Sequence, residues 1–197
     1  LINKINRPKK TFSIYRKADI VASNITYIKN KTKFNVTIRD KKILKVEISV
    51  PGEHNVYNAL AAISIADELK IPISKIRLGL KNYSGVKRRF EIRYLNLNND
   101  IMIIDDYAHH PNEILETIKA AKQGWNKRII SIFQPHLFSR TRDFHKEFAK
   151  SLDKSNISII TNIYPAREKP IKGISSDIIV NQMKNKNTYL IKEKEKI

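Results

Sequence analysis

The run Asp105-Asp106-Tyr107-Ala108-His109-His110-Pro111 gathers two carboxylates, a phenol and two imidazoles into one turn of chain. Asp106 could hold ribose hydroxyls or a metal, whereas Asp105 could simply end a strand. His109 and His110 could each act on a substrate, although a histidine can equally cap a helix. The apolar stretch Ile101-Met102-Ile103-Ile104 before the run reads as a buried strand. Pro111 then opens a helix, at a first position where its missing N–H would be unpaired anyway. In open α/β sheets the crevice at such strand ends is where ligands bind.

Two later segments have the same placement. Phe133-Gln134-Pro135-His136-Leu137-Phe138-Ser139-Arg140-Thr141-Arg142 brings an imidazole and two guanidinium groups to a second strand end. An arginine fork beside a histidine suits a small carboxylate. The alternative makes Arg140 and Arg142 surface charges at a helix start, where cations are mildly disfavoured. Tyr164 to Ser176 forms a third loop, long, polar and stiffened by Pro165 and Pro170. Such loops are usually functional in a compact domain, but no single residue of it is singled out by type or spacing.

Two segments upstream also carry candidates. Glu53-His54-Asn55-Val56-Tyr57-Asn58 lies at a helix start. Asn55 and Asn58, three apart, share a helix face, and a carboxamide offers the donor and acceptor an adenine edge requires. The competing role for Asn55 is the helix cap, which spacing alone favours. In Arg88-Arg89-Phe90-Glu91 a guanidinium could clamp a phosphate or form an ordinary salt bridge. His109, His110, His136 and His145 match no standard zinc spacing, so no metal site is assigned.

The elements that must position these groups fall into two patterns. Up to residue 86 the chain reads as strands near 18–27, 34–38 and 43–50, with a hairpin turn over Arg39-Asp40-Lys41-Lys42. Helices follow over about 56–70 and 74–82. From Lys87 onward strands at 101–105, 128–133, 157–162 and 188–191 alternate with helices at 111–123, 141–152 and 176–184. That alternation predicts an α/β fold with a mostly parallel sheet and helices on both faces. All its strand ends then lie on one edge, so the three polar loops converge.

Bulk composition narrows the class. The chain has 41% hydrophobic and 29% charged residues and no cysteine, which removes disulfides and thiolate chemistry and suits a reducing cytosol. No apolar run approaches the roughly 18–20 residues of a membrane span, and no signal peptide opens the sequence. A soluble cytoplasmic protein is expected. The net charge of +19 invites nucleic acid as a partner. Yet lysine supplies 27 of the 38 cations, scattered along a chain rich in Asn and Ile, so codon drift explains the charge as well. No nucleic-acid-binding motif accompanies it.

Taken together, the segments resemble the Mur ligases. Pro51 to Ala62 is similar to that family's adenine-side motif, Gly85 to Glu91 to its interdomain motif and Asp105 to Pro111 to its C-terminal-domain signature. Phe133 to Asp143 and Tyr164 to Ser176 look most like the alanine-adding member. The resemblance implies a Rossmann-like C-terminal domain at 87–197, preceded at 1–86 by the end of a P-loop-type central ATPase domain. It implies ATP and Mg2+ as cofactors, and UDP-N-acetylmuramate and L-alanine as substrates joined through an acyl phosphate. By the same resemblance His54, Asn55 and Asn58 lie at the adenine, Arg89 at the phosphates and Asp106 at the ribose. His136 and Arg140 orient the alanine carboxylate, with His109 or His110 near the amine. The rivals are a tripeptide-recycling ligase of the same family and a non-catalytic, basic nucleic-acid-binding protein. The sequence carries no Gly-Lys-Ser/Thr phosphate loop. An internal portion of a larger enzyme, inactive by itself, is therefore expected.

Overall fold

The structure is a computed structural model that describes residues 6–39 and 42–193. It divides between Val86 and Lys87 into two compact units.

The first unit is a four-stranded sheet backed by two helices. Its strands are β1 (Phe12–Ser13), β2 (Ile20–Ile28), β3 (Lys31–Ile38) and β4 (Lys42–Ile48), in that spatial order. β1 runs parallel to β2, and the remaining neighbours are antiparallel. Alternation decides which face is covered. Phe34, Val36 and Ile38 on β3 and Leu44, Val46 and Ile48 on β4 point into one core, while Lys31 and Lys33 pair with Glu47 on the other face. The expected hairpin is present, although Asp40 and Lys41 of its turn lie outside the described residues.

Helix α1 (Glu53–Glu68) closes that core with Val56, Leu60 and Ile63, and α2 (Ile73–Asn82) adds Ile76. Pro72 precedes α2 as expected, because its fixed φ suits a helix entrance. α1 begins three residues earlier than periodicity predicts. Its N-cap is Gly52 at φ 95°, and no side chain caps it. Only glycine takes that backbone without strain, so the helix starts where the chain can turn. The capping role expected for Asn55 is therefore corrected: Asn55 sits inside the first turn.

The second unit holds the remaining elements: β5 (Glu91–Asn96), β6 (Ile101–Asp105), α3 (Pro111–Gly124), β7 (Ile130–Phe133), α4 (Phe138–Leu152), β8 (Ile157–Ile160), α5 (Asp177–Val180) and β9 (Thr188–Leu190). β7, β8 and β9 form a parallel sheet in sequence order. Parallel strands need crossovers, and α4 and the segment containing α5 supply them. The mixed α/β architecture is thus as expected, with two differences. β6 pairs antiparallel with β5, a strand that periodicity misses because most of its residues are exposed. α5 is a single turn instead of a helix over 176–184.

Residues from α3 (Ile114, Ile118), α4 (Phe148, Leu152) and α5 (Ile179) share one core with Phe133 and Ile160. The opposite parity on the strands, Ile130, Ile132 and Tyr189, is exposed. A further difference follows: the described helices that share this core line one face of the parallel sheet, where helices on both faces were expected.

Candidate functional site

The second unit brings the three polar loops together. His109 follows β6, His136 follows β7 and Tyr164 follows β8. The rings of His109 and His136 lie 6.2 Å apart edge to face, and His136 stacks on Tyr164 at 5.7 Å. Backbone bonds clamp the second loop to the third: Tyr164 N donates to the Pro135 carbonyl at 2.8 Å, and Leu137 N to the Tyr164 carbonyl at 2.9 Å. Arg140, in the first turn of α4, reaches the His109 carbonyl at 3.4 Å and His136 Nδ1 at 3.5 Å. His109, His136 and Arg140, chosen from two separate stretches of sequence, thus sit in one cluster.

Hydrogen bonding fixes how the imidazoles present themselves. His109 Nδ1 is 2.9 Å from the Tyr107 carbonyl, which can only accept, so Nδ1 carries the hydrogen and Nε2 the lone pair in the neutral ring. His136 is held below the ordinary histidine range by burial and then by the positive charges of Arg140 and His109, with Glu168 opposing them. A neutral His136 facing Arg140 through Nδ1 keeps its N–H on Nε2 for a ligand oxygen.

The two adjacent histidines have different surroundings. His110 is the N-cap of α3: Asn112 N donates to its Nδ1 at 3.4 Å, and its ring stands edge-on to Phe144 at 5.1 Å. Glu113 completes a capping box by accepting from His109 N at 3.0 Å and His110 N at 3.1 Å. Burial pushes the Glu113 carboxyl up, but those two donations and the charges of His109 and Arg89 leave it below the usual range. The helix-capping alternative read for the histidines thus holds for His110, and the acid three residues on, the sequence signal for the box, is the part left unread.

Asp106 is occupied by the fold. It accepts from Phe90 N, from Ala108 N and from Thr117 Oγ1, each at 2.9 Å, and so ties the entry to β5, its own loop and α3 together. A carboxylate has about four acceptor positions, which leaves room for one further donor. Asp105 pairs with Arg88 at 3.2 Å, and Arg88 also lies over the Tyr107 ring at 5.0 Å. Arg89 is exposed and 3.9 Å from Glu113. Glu168, in the third loop, accepts from Ser139 N at 2.9 Å and from Ser139 Oγ. Nothing in its local sequence marks it, since its partner is 29 residues away.

The remaining candidates lie in the first unit. His54, Asn55 and Asn58 all belong to the first turns of α1. Asn55 Nδ2 donates to the Pro51 carbonyl at 2.7 Å, and its Oδ1 accepts from Asn58 Nδ2 at 3.2 Å. The two carboxamides do share a face. Asn58 is exposed, with Oδ1 and a second N–H still to offer. Among the described residues no three His, Cys, Asp or Glu side chains are grouped to hold a metal, and no helix is long and apolar enough to cross a membrane.

The chain is similar to known proteins along most of its length. The Mur ligase, glutamate ligase domain matches residues 88–197, and the Mur ligase middle domain matches residues 1–66. The UDP-N-acetylmuramate–L-alanine ligase of Chlorobium chlorochromatii is 43% identical over 187 residues, which cover 93% of this chain and 40% of that protein. Its counterpart in Geotalea uraniireducens is 40% identical over 184 residues, again 93% of this chain and 40% of the relative. The chain thus spans about two-fifths of the length of the curated relatives it matches. The crystal structure of the UDP-N-acetylmuramate–alanine ligase of Thermotoga maritima superposes with a TM-score of 0.78 at 29% identity, covering 93% of this chain and 39% of that one. A murein peptide ligase from Psychrobacter arcticus shares the fold, at a TM-score of 0.58 and 24% identity over 94% of this chain and 38% of that one. With more than half of its length matched by one domain and much of the rest by its neighbour, this chain belongs to the Mur ligase family.

Proposed function

We propose that the chain is part of an enzyme that joins L-alanine to UDP-N-acetylmuramate at the expense of ATP. Residues 1–86 would be the end of the ATP-binding central domain and residues 87–197 the C-terminal domain. The observation that carries the reading is the cluster of His109, His136 and Arg140, whose shape and charge suit a small amino acid bound by its carboxylate. The curated relatives that bear this name support the choice of alanine.

In this reading the γ-phosphoryl group of ATP passes to the muramyl carboxylate, giving an acyl phosphate and ADP. The alanine amine then attacks the acyl carbon, the amide forms, inorganic phosphate leaves and the amine gives up a proton. Arg140, seconded by His136 Nε2–H, holds the alanine carboxylate through charge-assisted bonds. His109 faces the amine with the lone pair of Nε2 and is the group able to take its proton. His110 caps α3 and so fixes the start of the helix beside His109. Arg89 contacts the ATP phosphates, Asp106 uses its remaining acceptor position for a ribose hydroxyl, and Asn58 with Asn55 reads the adenine edge next to His54. Mg2+ would neutralise phosphate charge, but the described residues offer no cluster for it, so none of these roles passes through the metal.

The test is to express the whole gene product and follow phosphate release with ATP, UDP-N-acetylmuramate and L-alanine. Turnover should require all three. H136A and R140A should each raise KM for L-alanine at least about tenfold, the loss of one charge-assisted bond, and leave KM for ATP unchanged. The isolated 197-residue chain should not turn over. A wild-type preference for a tripeptide over L-alanine would refute the assignment in favour of recycling.

A further inference from the structure

We propose that Glu168 is a positioning residue for the amino-acid end of the site: it caps α4 from the third loop and thereby sets Arg140 against His136. The proposal rests on the reading of Arg140 and His136 as the carboxylate-binding pair.

Helix α4 needs an outside cap. Its N-cap is Leu137 at φ 72°, an apolar residue with no side-chain acceptor, so no side chain from the cap position serves the first turn. That turn contains no acid and holds Arg140, a cation at the positive end of the helix dipole. Glu168 meets both needs. It accepts from Ser139 N at 2.9 Å and from Ser139 Oγ, one residue before Arg140. Those contacts, together with Phe138 N and the charge of Arg140, keep its carboxyl below the usual range although burial works the other way.

The arrangement forms two clamps, one on His136 and one on the residue that precedes Arg140. At one end His136 and Tyr164 are bridged through the backbone and stacked. At the other, Glu168 grips Ser139. Glu168 is itself set by its N–H, which donates to the Pro165 carbonyl at 2.9 Å. The third loop therefore holds the second around His136, through Pro135 and Leu137, and again at Ser139, the residue before Arg140. Ser139 draws both carboxylate oxygens, so Glu168 lowers the local positive field without forming an ion pair with Arg140 among the described contacts. The guanidinium stays available for a substrate carboxylate.

Two experiments test this. In the whole ligase, E168Q should raise KM for L-alanine about tenfold, with KM for ATP and UDP-N-acetylmuramate unchanged and kcat within a few-fold. E168D, which keeps the charge at a shorter reach, should restore part of the loss, and S139A should show a smaller rise. Wild-type KM for L-alanine in E168Q, or equal damage to all three KM values, would overturn the proposal. If H136A and R140A leave KM for L-alanine unmoved, the proposed function fails instead. In the whole ligase, the His136 imidazole, assigned by the loss of its NMR signal in H136A, should titrate lower in E168Q than in the wild type, because Arg140 and His109 then act on it without an opposing charge. An unchanged midpoint also overturns the proposal, independently of turnover.

Discussion

Replacing Asp106 separates its work in the fold from its work on a ligand. D106A removes three charge-assisted bonds and leaves the N–H groups of Phe90 and Ala108 and the hydroxyl of Thr117 without their acceptor. The site is half-buried, so water replaces part of what is lost, and about 1 kcal/mol per bond is appropriate. The sum is about 3 kcal/mol, or roughly 12 °C in Tm for a unit of about a hundred residues. T117V removes one of the three bonds and should cost about 1 kcal/mol, and the two changes should couple by a similar amount in a double-mutant cycle. The chain supplies its own reporter. Trp125 is its only tryptophan and stacks on Phe90 with centroids 5.6 Å apart, beside the N–H that Asp106 holds. Guanidinium unfolding followed by Trp125 fluorescence should show lowered midpoints with an unchanged slope. A cost below about 1 kcal/mol for D106A, or strict additivity with T117V, would refute the structural role. Asp106 would then be left as a ligand group alone.

Three other outcomes are expected. F148A empties the largest fully buried side-chain site of the second unit and should cost about 3–5 kcal/mol by the same fluorescence assay. G52A forces a Cβ onto a backbone at φ 95°, ψ 145° and should cost about 1–3 kcal/mol, read as a lower thermal midpoint by circular dichroism. For pH, the folded Glu113 carboxyl lies below its unfolded value of about 4.3. Its contribution is therefore complete above that value and is lost as pH falls through the folded one. E113Q should flatten the dependence of unfolding free energy on pH across that acid range, and an unchanged slope would remove the capping role.

Local pattern carried the architecture to the sequence reader wherever burial was one-sided. Phe34, Val36 and Ile38 alternate because one face of β3 meets α1, and α3 announces itself through Pro111 and its apolar spacing. β5 escaped because exposure leaves it little alternation. The starts of α1 and α4 were placed late because both caps, Gly52 and Leu137, work by positive φ instead of by a capping side chain. His109, His136 and Arg140 were legible as candidates because parallel topology sends strand ends to one edge. Glu168 was not, since an acid in a polar loop says nothing of a serine 29 residues back.

The acids around the cluster are taken up by the fold, which fits the proposed binding of an anionic group there. Asp106, Glu113 and Glu168 all direct their oxygens at backbone N–H groups: Phe90 and Ala108, His109 and His110, and Ser139. Asp106 and Glu168 join segments far apart in the chain, and Glu113 caps the start of its own helix. Negative charge is thus taken up in building the loops. Arg140 has no carboxylate partner among the described ion pairs, and Arg89 has only the long 3.9 Å contact with Glu113. A neutral His136 adds an N–H donor without adding charge. A site built in this way favours carboxylate and phosphate oxygens and disfavours a cationic amine. An alanine bound through its carboxylate must therefore present its amine on the His109 side, where a lone pair can take the proton. Replacing Arg140 by Met, of similar length and no charge, should abolish the preference for a carboxylate-bearing amine over its amide, measured as the ratio of kcat/KM for L-alanine to that for L-alaninamide in the whole ligase. A ratio unchanged from wild type would show that Arg140 does not hold the carboxylate.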